Sequence, residues 1–495
     1  MSNYLGKIIR GAGLILAANL VASLLSYAAR ILLARKLGPE EYGLFAAVLA
    51  FISFFLFFRD LGLGTALVNF VAKARIQERY DEIKTGVTAV LLLHFLISSI
   101  ITILIVIFSD FLVVHYFKVP ESKIILQVMT ISMMTTILYV IIKELLNGFQ
   151  KNILYSLLEP AKNFFILLPT VFLFYYDYGV MAAVIPYTFV SVILFLVFYP
   201  FLRKELSFFK HKIVNLKQTT KELLWFGLPL MAADIGGKVI GYTDTLMLTY
   251  FGSLTEVGIY NVVLPSALFF IQISRSISAI IFPISTELHV KNDVAKLAKG
   301  VSLLHRYCFA LVIPIIFALF AFADKFLLIF FGPEYVFGTL AFRILLVGCM
   351  FFVLATVNNV IISSMGKPKE VTKIIIFSAV LNLILNFFFI PLFGINGAAA
   401  ATAIAYAISL ILSVRKLEKE TGVKAPYWHW MKLLLTAAVF VMVILYVMKL
   451  LHTHLYLEIV LSLAAASLIY VLLLYLFNII DFGELKINLL KVFKK

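Results

Sequence analysis

The sequence predicts an all-α membrane protein with 14 transmembrane helices: two six-helix lobes related by a pseudo-two-fold along the membrane normal, plus two C-terminal helices. Three observations predict it. Of the 495 residues, 63% are hydrophobic and only 14% charged, and the mean hydropathy is +1.04, the balance of a chain dissolved in lipid. Apolar runs of about 20 residues, the length that crosses a bilayer as a helix, recur from end to end. Segments of the first half also reappear in the second at a near-constant offset.

The runs fall near 9–31, 43–70, 86–108, 124–147, 160–176, 180–200, 222–250, 257–285, 301–323, 339–364, 371–391, 395–414, 430–450 and 456–479. They are too long for the strands of a barrel, and an open sheet cannot satisfy its backbone in lipid. The first run leads straight into further apolar segments and lacks a small-residue cleavage site, so it reads as a span and not as a signal peptide. Cys308 and Cys349 lie inside apolar runs without ligand-like neighbours and imply neither disulfide nor metal.

Lysine and arginine orient the chain. With the N-terminus cytoplasmic, the connections and tails on that side hold 28 Lys and Arg and those on the opposite side hold six, which places both termini in the cytoplasm of a multi-pass cell-membrane protein. The same bias explains the formal charge of +16 as attraction to anionic lipid and not to nucleic acid.

The predicted units are an N-terminal lobe (1–200), a cytoplasmic linker (201–221), a C-terminal lobe with its following loop (222–429), and two further helices with a tail (430–495). The linker, FLRKELSFFKHKIVNLKQTTK, reads either as an amphipathic segment on the membrane surface or as a solvated basic connection. At an offset of 215, Tyr27 falls on Tyr242, Gly43 on Gly258 and Phe45 on Tyr260; at 218, Gly148 falls on Gly366 and Gly179 on Gly397. Six spans separate equivalent points, an even number, so equivalent helices run in the same direction and the axis lies along the membrane normal.

Charges inside spans are costly and normally face a wet cavity or another helix. They concentrate in the first two spans of each lobe: Arg30, Arg59 and Asp60 in one; Asp234, Lys238, Asp244 and Arg275 in the other. Spans three to six and nine to fourteen read as nearly free of charge at depth. Asp234 and Lys238, four apart, share a helical face and could equally be a structural pair. Arg30 is near the outer end of its span and could snorkel to the surface. Arginine forks match phosphate oxygens, so Arg30, Arg59 and Arg275, with Lys238, are the expected ligands of an anionic head; Asp60, Asp234 and Asp244 would tune those charges or take up a coupling cation, Na+ or H+. The histidines, His94 among them, are too scattered for a metal site and read as loop or packing residues. No GxxxxGK[ST] loop is present, so no nucleotide and no other cofactor is expected.

The stretches ARILLARKLGPEEYGLFAAV, RDLGLGTALVNFVAK and NVVLPSALFFIQISRSISAIIFPISTEL make the chain resemble the polysaccharide-export and O-antigen flippase branch of the multidrug/oligosaccharidyl-lipid/polysaccharide exporter superfamily. The resemblance covers nearly the whole chain. It implies a non-enzymatic, monomeric flippase that moves isoprenoid-diphosphate-linked oligosaccharide from the cytoplasmic to the outer leaflet by alternating access, among membrane lipids. It also implies that Arg30 and Arg59 match arginines of the related lipid II flippases, with Arg275 their second-lobe counterpart. Asp60, Asp234 and Lys238 depart from that pattern. The alternative is a cation-coupled multidrug or metabolite efflux transporter of the same architecture, for which carboxylates should outnumber bases in the cleft.

Overall fold

The computed structural model describes the backbone of residues 2–205, 210–269, 271–291, 293–422, 424–451 and 454–479, with side chains for all of these except 2–12, 233–234, 271–277, 279–280, 294–295 and 298. Every regular element among the described residues is helical. The chain divides into two compact units, Met1–Val262 and Val263–Lys495.

The first unit begins with α1 (Ser2–Asp60), two predicted spans joined at one break. Gly38 adopts φ 70°, which only glycine tolerates freely, and Pro39 then supplies a fixed φ and no N–H to restart the helix. After α1, Leu61 (φ 49°) and Gly62 (φ 71°) interrupt the chain before α2 (Leu63–Ile76). The unit continues through α3 (Tyr80–Ile107), short α4 (Ser109–Leu112) and a π turn (Val113–Phe117). The fourth predicted span is split into α5 (Ser122–Thr130) and α6 (Ser132–Gly148); α7 (Asn152–Tyr175) and α8 (Met181–Glu205) follow. Long α9 (Leu216–Phe251) also belongs here, and α10 (Leu254–Leu268) crosses the division between units. Leu67 of α2, Val87 of α3, Leu145 of α6, Leu194 of α8 and Leu223 of α9 meet in one buried apolar cluster. In lipid such contacts gain from packing more than from water release, so close fit is what holds the helices together.

The second unit contains α11 (Ile271–Val290), α12 (Val294–Ala321), α13 (Ala323–Phe330), a 3-10 turn (Pro333–Gly338) and α14 (Thr339–Ser364). The next helix, α15 (Pro368–Thr421), again holds two predicted spans and breaks at Gly394 (φ 54°). Beyond the break the chain packs back on itself: a Cβ on Gly397 would lie 2.2 Å from the Phe389 carbonyl oxygen. The last two helices are α16 (Tyr427–Leu450) and α17 (Leu455–Leu476); the Tyr470 hydroxyl donates to the Ala310 carbonyl (3.0 Å), tying α17 to α12. Ten helices among the described residues are long and apolar enough to cross a membrane, and two of them, α1 and α15, hold a pair of spans each, which makes twelve; bent α9 adds a thirteenth, so the count is consistent with the fourteen expected without fixing it.

One repeat match changes. The turn after α6 and the turn after α14 share a hydrogen-bond pattern: Gln150 N to Asn147 O and Lys151 N to Leu146 O in the first, Gly366 N to Ser363 O and Lys367 N to Ile362 O in the second. Gly366 (φ 77°) therefore answers to Gln150 (φ 56°), an offset of 216, and not to the helical Gly148. Matching glycine to glycine by identity misplaced the turn by two residues.

Of the linker's described residues, 201–205 end α8, 216–221 begin α9, and 211–214 are tied to α3. His211 Nδ1 and the Lys212 backbone N–H both lie 3.1 Å from the Asp81 carboxylate, Val214 N donates to the Thr85 hydroxyl (2.9 Å), Lys84 donates to the His211 carbonyl (2.6 Å), and His211 stacks on Tyr80. The first turns of α3 thus hold residues 211–214 of the linker in place.

Candidate functional site

A cavity of about 170 Å³ lies within the first unit, around Arg30. On α1, Ser26, Arg30 and Leu33 follow one face at helical spacing, and past the Gly38 break Tyr42, Phe45, Ala46, Leu49 and Ser53 do the same. Tyr187 of α8 closes one wall; Gly241, Tyr242 and Thr245 of α9 and Asn261 of α10 form another.

The lining also carries the repeat. Ser26 and Gly241, Arg30 and Thr245, Ala46 and Asn261 are pairs at the offset of 215, and all six line the cavity. It therefore sits where equivalent elements of the two repeats face each other. Beside it, Gly43 and Gly258 meet: a Cβ on Gly43 would lie 1.8 Å from the Leu254 carbonyl oxygen, and one on Gly258 would lie 1.9 Å from that of Pro39.

Arg30 is only half-buried. Its guanidinium hydrogen-bonds the Tyr42 hydroxyl and lies near that of Tyr187, Tyr242 pairs with Ser53, and Asn261 donates to Thr245 Oγ1 (3.2 Å). Phe45 packs edge-on against Tyr187 with ring centroids 5.0 Å apart, which fixes that wall. Among the described residues the lining contains no carboxylate, and those around the guanidinium offer neutral hydroxyl and amide groups. Such a pocket favours an anion and penalises a cation.

Arg59 is placed differently. It is 2% exposed and donates to the Met133 carbonyl (2.8 Å) and to Thr136 Oγ1 (3.0 Å). Ser98 also donates to the Met133 carbonyl (3.0 Å), just past the interruption between α5 and α6. Arg59 thus ties the end of α1 to the start of α6, and it is absent from the Arg30 cavity lining.

Of the remaining predicted residues, Asp244 is 1% exposed and accepts a 2.5 Å hydrogen bond from Tyr260, turned away from the cavity although its neighbour Thr245 lines it. Lys238 is exposed, one turn before Gly241 on the α9 face that continues into the lining. The side chains of Asp234 and Arg275 lie outside the described residues.

Asp60 belongs to a second polar cluster. Its Oδ1 lies 3.6 Å from His94 Nε2 on α3; the N–H groups of Gly62 and Gly64 face its carboxylate, and Lys143 and Glu144 of α6 are nearby. Further along, Tyr139 donates to Glu159 (2.6 Å) and Lys162 lies over the Tyr139 ring. The expectation that spans three to six hold almost no charge at depth is therefore corrected. Lys143 and Glu144 sit near the end of an apolar run and read there as a boundary, but the break before α6 and the long α7 bring these ends together. The Tyr139/Lys143/Glu144 spacing on one helix was the available signal.

The sequence matches the polysaccharide biosynthesis protein family over residues 8–289, more than half of the chain. The chain belongs to that family. A membrane protein of Methanocaldococcus jannaschii without assigned function is 28% identical over 432 residues, covering 84% of this family member and 85% of its relative. A protein named as an O-antigen transporter in Shigella flexneri is 25% identical over 389 residues, covering 77% and 90%. Among solved structures, the lipid II flippase MurJ in its inward closed conformation has a TM-score of 0.75 at 17% identity, covering 94% of this chain and 98% of that one, a likeness of fold. The flippase branch read from the sequence is thus the one to which this family member is similar.

Proposed function

We propose that this protein is a flippase for isoprenoid-diphosphate-linked oligosaccharide, moving the head group from the cytoplasmic to the outer leaflet by alternating access while the tail stays in lipid. The observation that carries this reading is Arg30 in a cavity whose described lining offers hydroxyl and amide groups and no carboxylate. Its guanidinium supplies charge-assisted hydrogen bonds to a phosphate, and Ser26, Ser53, Tyr42 and Asn261 supply the neutral donors and acceptors that phosphate and sugar both use. The family's name and the O-antigen transporter among its relatives favour a polysaccharide precursor as cargo. A described lining without a carboxylate disfavours the rival, an exporter of organic cations.

In this reading Lys238 meets the anion on its way to Arg30. Arg275 is its proposed second-lobe ligand, and Asp234 and Asp244 tune these charges. Arg59 acts by positioning, since it holds α1 to α6. The lobes are residues 1–200 and 222–429, both termini are cytoplasmic, the unit of function is a monomer acting without catalysis, and a cation gradient, Na+ or H+, drives the cycle with Asp60 as its acceptor. An inside-negative potential assists export of a negative head by about 2.3 kcal/mol per charge per 100 mV across the full field. Binding has to stay modest, because an anion held tightly in one state is not released in the other.

The deciding experiment is leaflet exchange of an isoprenoid-diphosphate glycan in vesicles reconstituted with the purified protein. Arg30→Gln is expected to lose about tenfold or more, the worth of a charge-assisted hydrogen bond, while Arg30→Lys keeps part of it. Equal exchange in wild type and Arg30→Gln would remove Arg30 from the substrate path.

A further inference from the structure

We infer that Asp60 and His94 form a proton-binding site in the first unit, and that the proton taken up there is the coupling ion; the second half of this statement rests on the transport reading above. His94 is fully buried, and neither ring nitrogen has a hydrogen-bond partner. A buried neutral imidazole carries one N–H and one lone pair in need of partners, and leaving them without any is unfavourable. The polar groups beside it belong to Asp60: the carboxylate at 3.6 Å and the residue's backbone. At that distance the pair is just too long for a hydrogen bond and closes with a small side-chain rotation. Asp60 in turn is 35% exposed at its side chain. One carboxylate thus reaches solvent-accessible space on one side and a dry imidazole on the other.

The charges around it fit a group that titrates. Arg59 flanks it on its own helix, Lys143 and Glu144 face it from α6, and His94 faces it from α3. From α9 the adjacent group is backbone, with the Gly227 carbonyl oxygen 2.1 Å from where a Cβ on Gly62 would sit. With Asp60 ionised, two cations face two carboxylates; with a proton on its oxygen, one carboxylate remains against both. The step forms one O–H bond from a proton delivered by water and reverses on release, with no other reactant. In both states the imidazole Nε2–H faces the same Asp60 oxygen, donating to a carboxylate before uptake and to the carbonyl oxygen of a neutral carboxyl after it, so the ring keeps its own proton and the new O–H lies on the exposed side.

Asp60 is also the last residue of α1, and the N–H groups of Gly62 and Gly64 at the start of α2 point at its carboxylate. Neutralising it weakens that hold, because an anion at a helix start is bound more firmly than a neutral acid. Proton uptake is thereby linked to the bend at Leu61 and Gly62, the two left-handed residues between the helices.

The test has a part that needs no substrate. Infrared difference spectra of the purified protein between high and low pH are expected to show the C=O stretch of a protonated carboxyl that is missing in Asp60→Asn, shifted in His94→Gln and kept in Glu144→Gln. A band unchanged in Asp60→Asn, or identical in His94→Gln and wild type, overturns the site. In vesicles, an imposed pH gradient should accelerate glycan exchange by wild type and leave Asp60→Asn without that stimulation, whereas a Na+ gradient should do nothing. Brisk exchange that ignores the pH gradient overturns the coupling. A band that behaves as expected beside wild-type vesicles exchanging no glycan leaves the proton site standing and removes the transport reading instead.

Discussion

Gly43 and Gly258 occupy equivalent places in the two repeats and lie against each other, each leaving room for a backbone carbonyl of the opposite hairpin, Leu254 for one and Pro39 for the other. The carbonyls are themselves 215 residues apart, so the contact is the same on both sides. Adding a methyl group to either glycine places carbon well inside contact distance of an oxygen that is backbone and cannot rotate away.

The first prediction follows from that geometry. Gly43→Ala and Gly258→Ala are each expected to push the hairpins apart, at about 1–3 kcal/mol for overpacking. A drop in thermal midpoint, followed by fluorescence in detergent, would record it, with similar size for both substitutions because the two sites are equivalent. A wild-type midpoint in either variant would contradict the contact.

Arg59 and Arg30 should separate by readout. Replacing Arg59 with Leu leaves Thr136 and part of the Met133 carbonyl's bonding unmet, so a loss of about 1.5–3 kcal/mol in stability is expected, with Thr136→Val costing less. Arg30→Gln should leave the midpoint near wild type and reduce glycan exchange. Thermal unfolding and exchange measured side by side on both variants would decide whether one guanidinium braces the fold while the other meets cargo.

Linker docking predicts a protease phenotype. Asp81 and Thr85 hold residues 211–214, and Lys210, Lys212, Lys217 and Lys221 offer sites for trypsin. Asp81→Ala with Thr85→Ala should speed tryptic cleavage at these linker lysines several-fold, at the rate limit set by local opening. Unaltered cleavage kinetics would mean that the linker is held by something other than the start of α3.

In the second unit, Lys325 at the start of α13 meets Glu458 of α17 at 3.3 Å, with side chains 18% and 15% exposed. Removing one partner strands the other in a poorly hydrated place. Lys325→Met or Glu458→Gln alone should therefore lower the midpoint more than the two together. A strictly additive double mutant would mean that the pair contributes no coupling.

The helical architecture was legible because bilayer thickness leaves few choices: span length and the repeat could both be read from residue order. The anion site was half legible. Arg30 stands out as a charge in an apolar run, and the pairs that line its cavity follow from the offset of 215, but nothing in local sequence distinguishes it from Arg59. What separates them is tertiary: the start of α6 presents a carbonyl and a hydroxyl to one arginine, and tyrosines from α1 and α8 present hydroxyls to the other. His94 was passed over for the same reason, since its significance comes from Asp60, which is 34 positions away in the chain and 3.6 Å away in space.

Arg30 facing Thr245 across the cavity has an implication for ancestry. A dimer of identical six-helix subunits must place the same side chain at both members of every such pair, so it can offer two guanidiniums or none, and two would repel each other across a narrow space. Joining both copies in a single gene frees them to diverge, and a lone positive charge beside the axis becomes available only after that fusion.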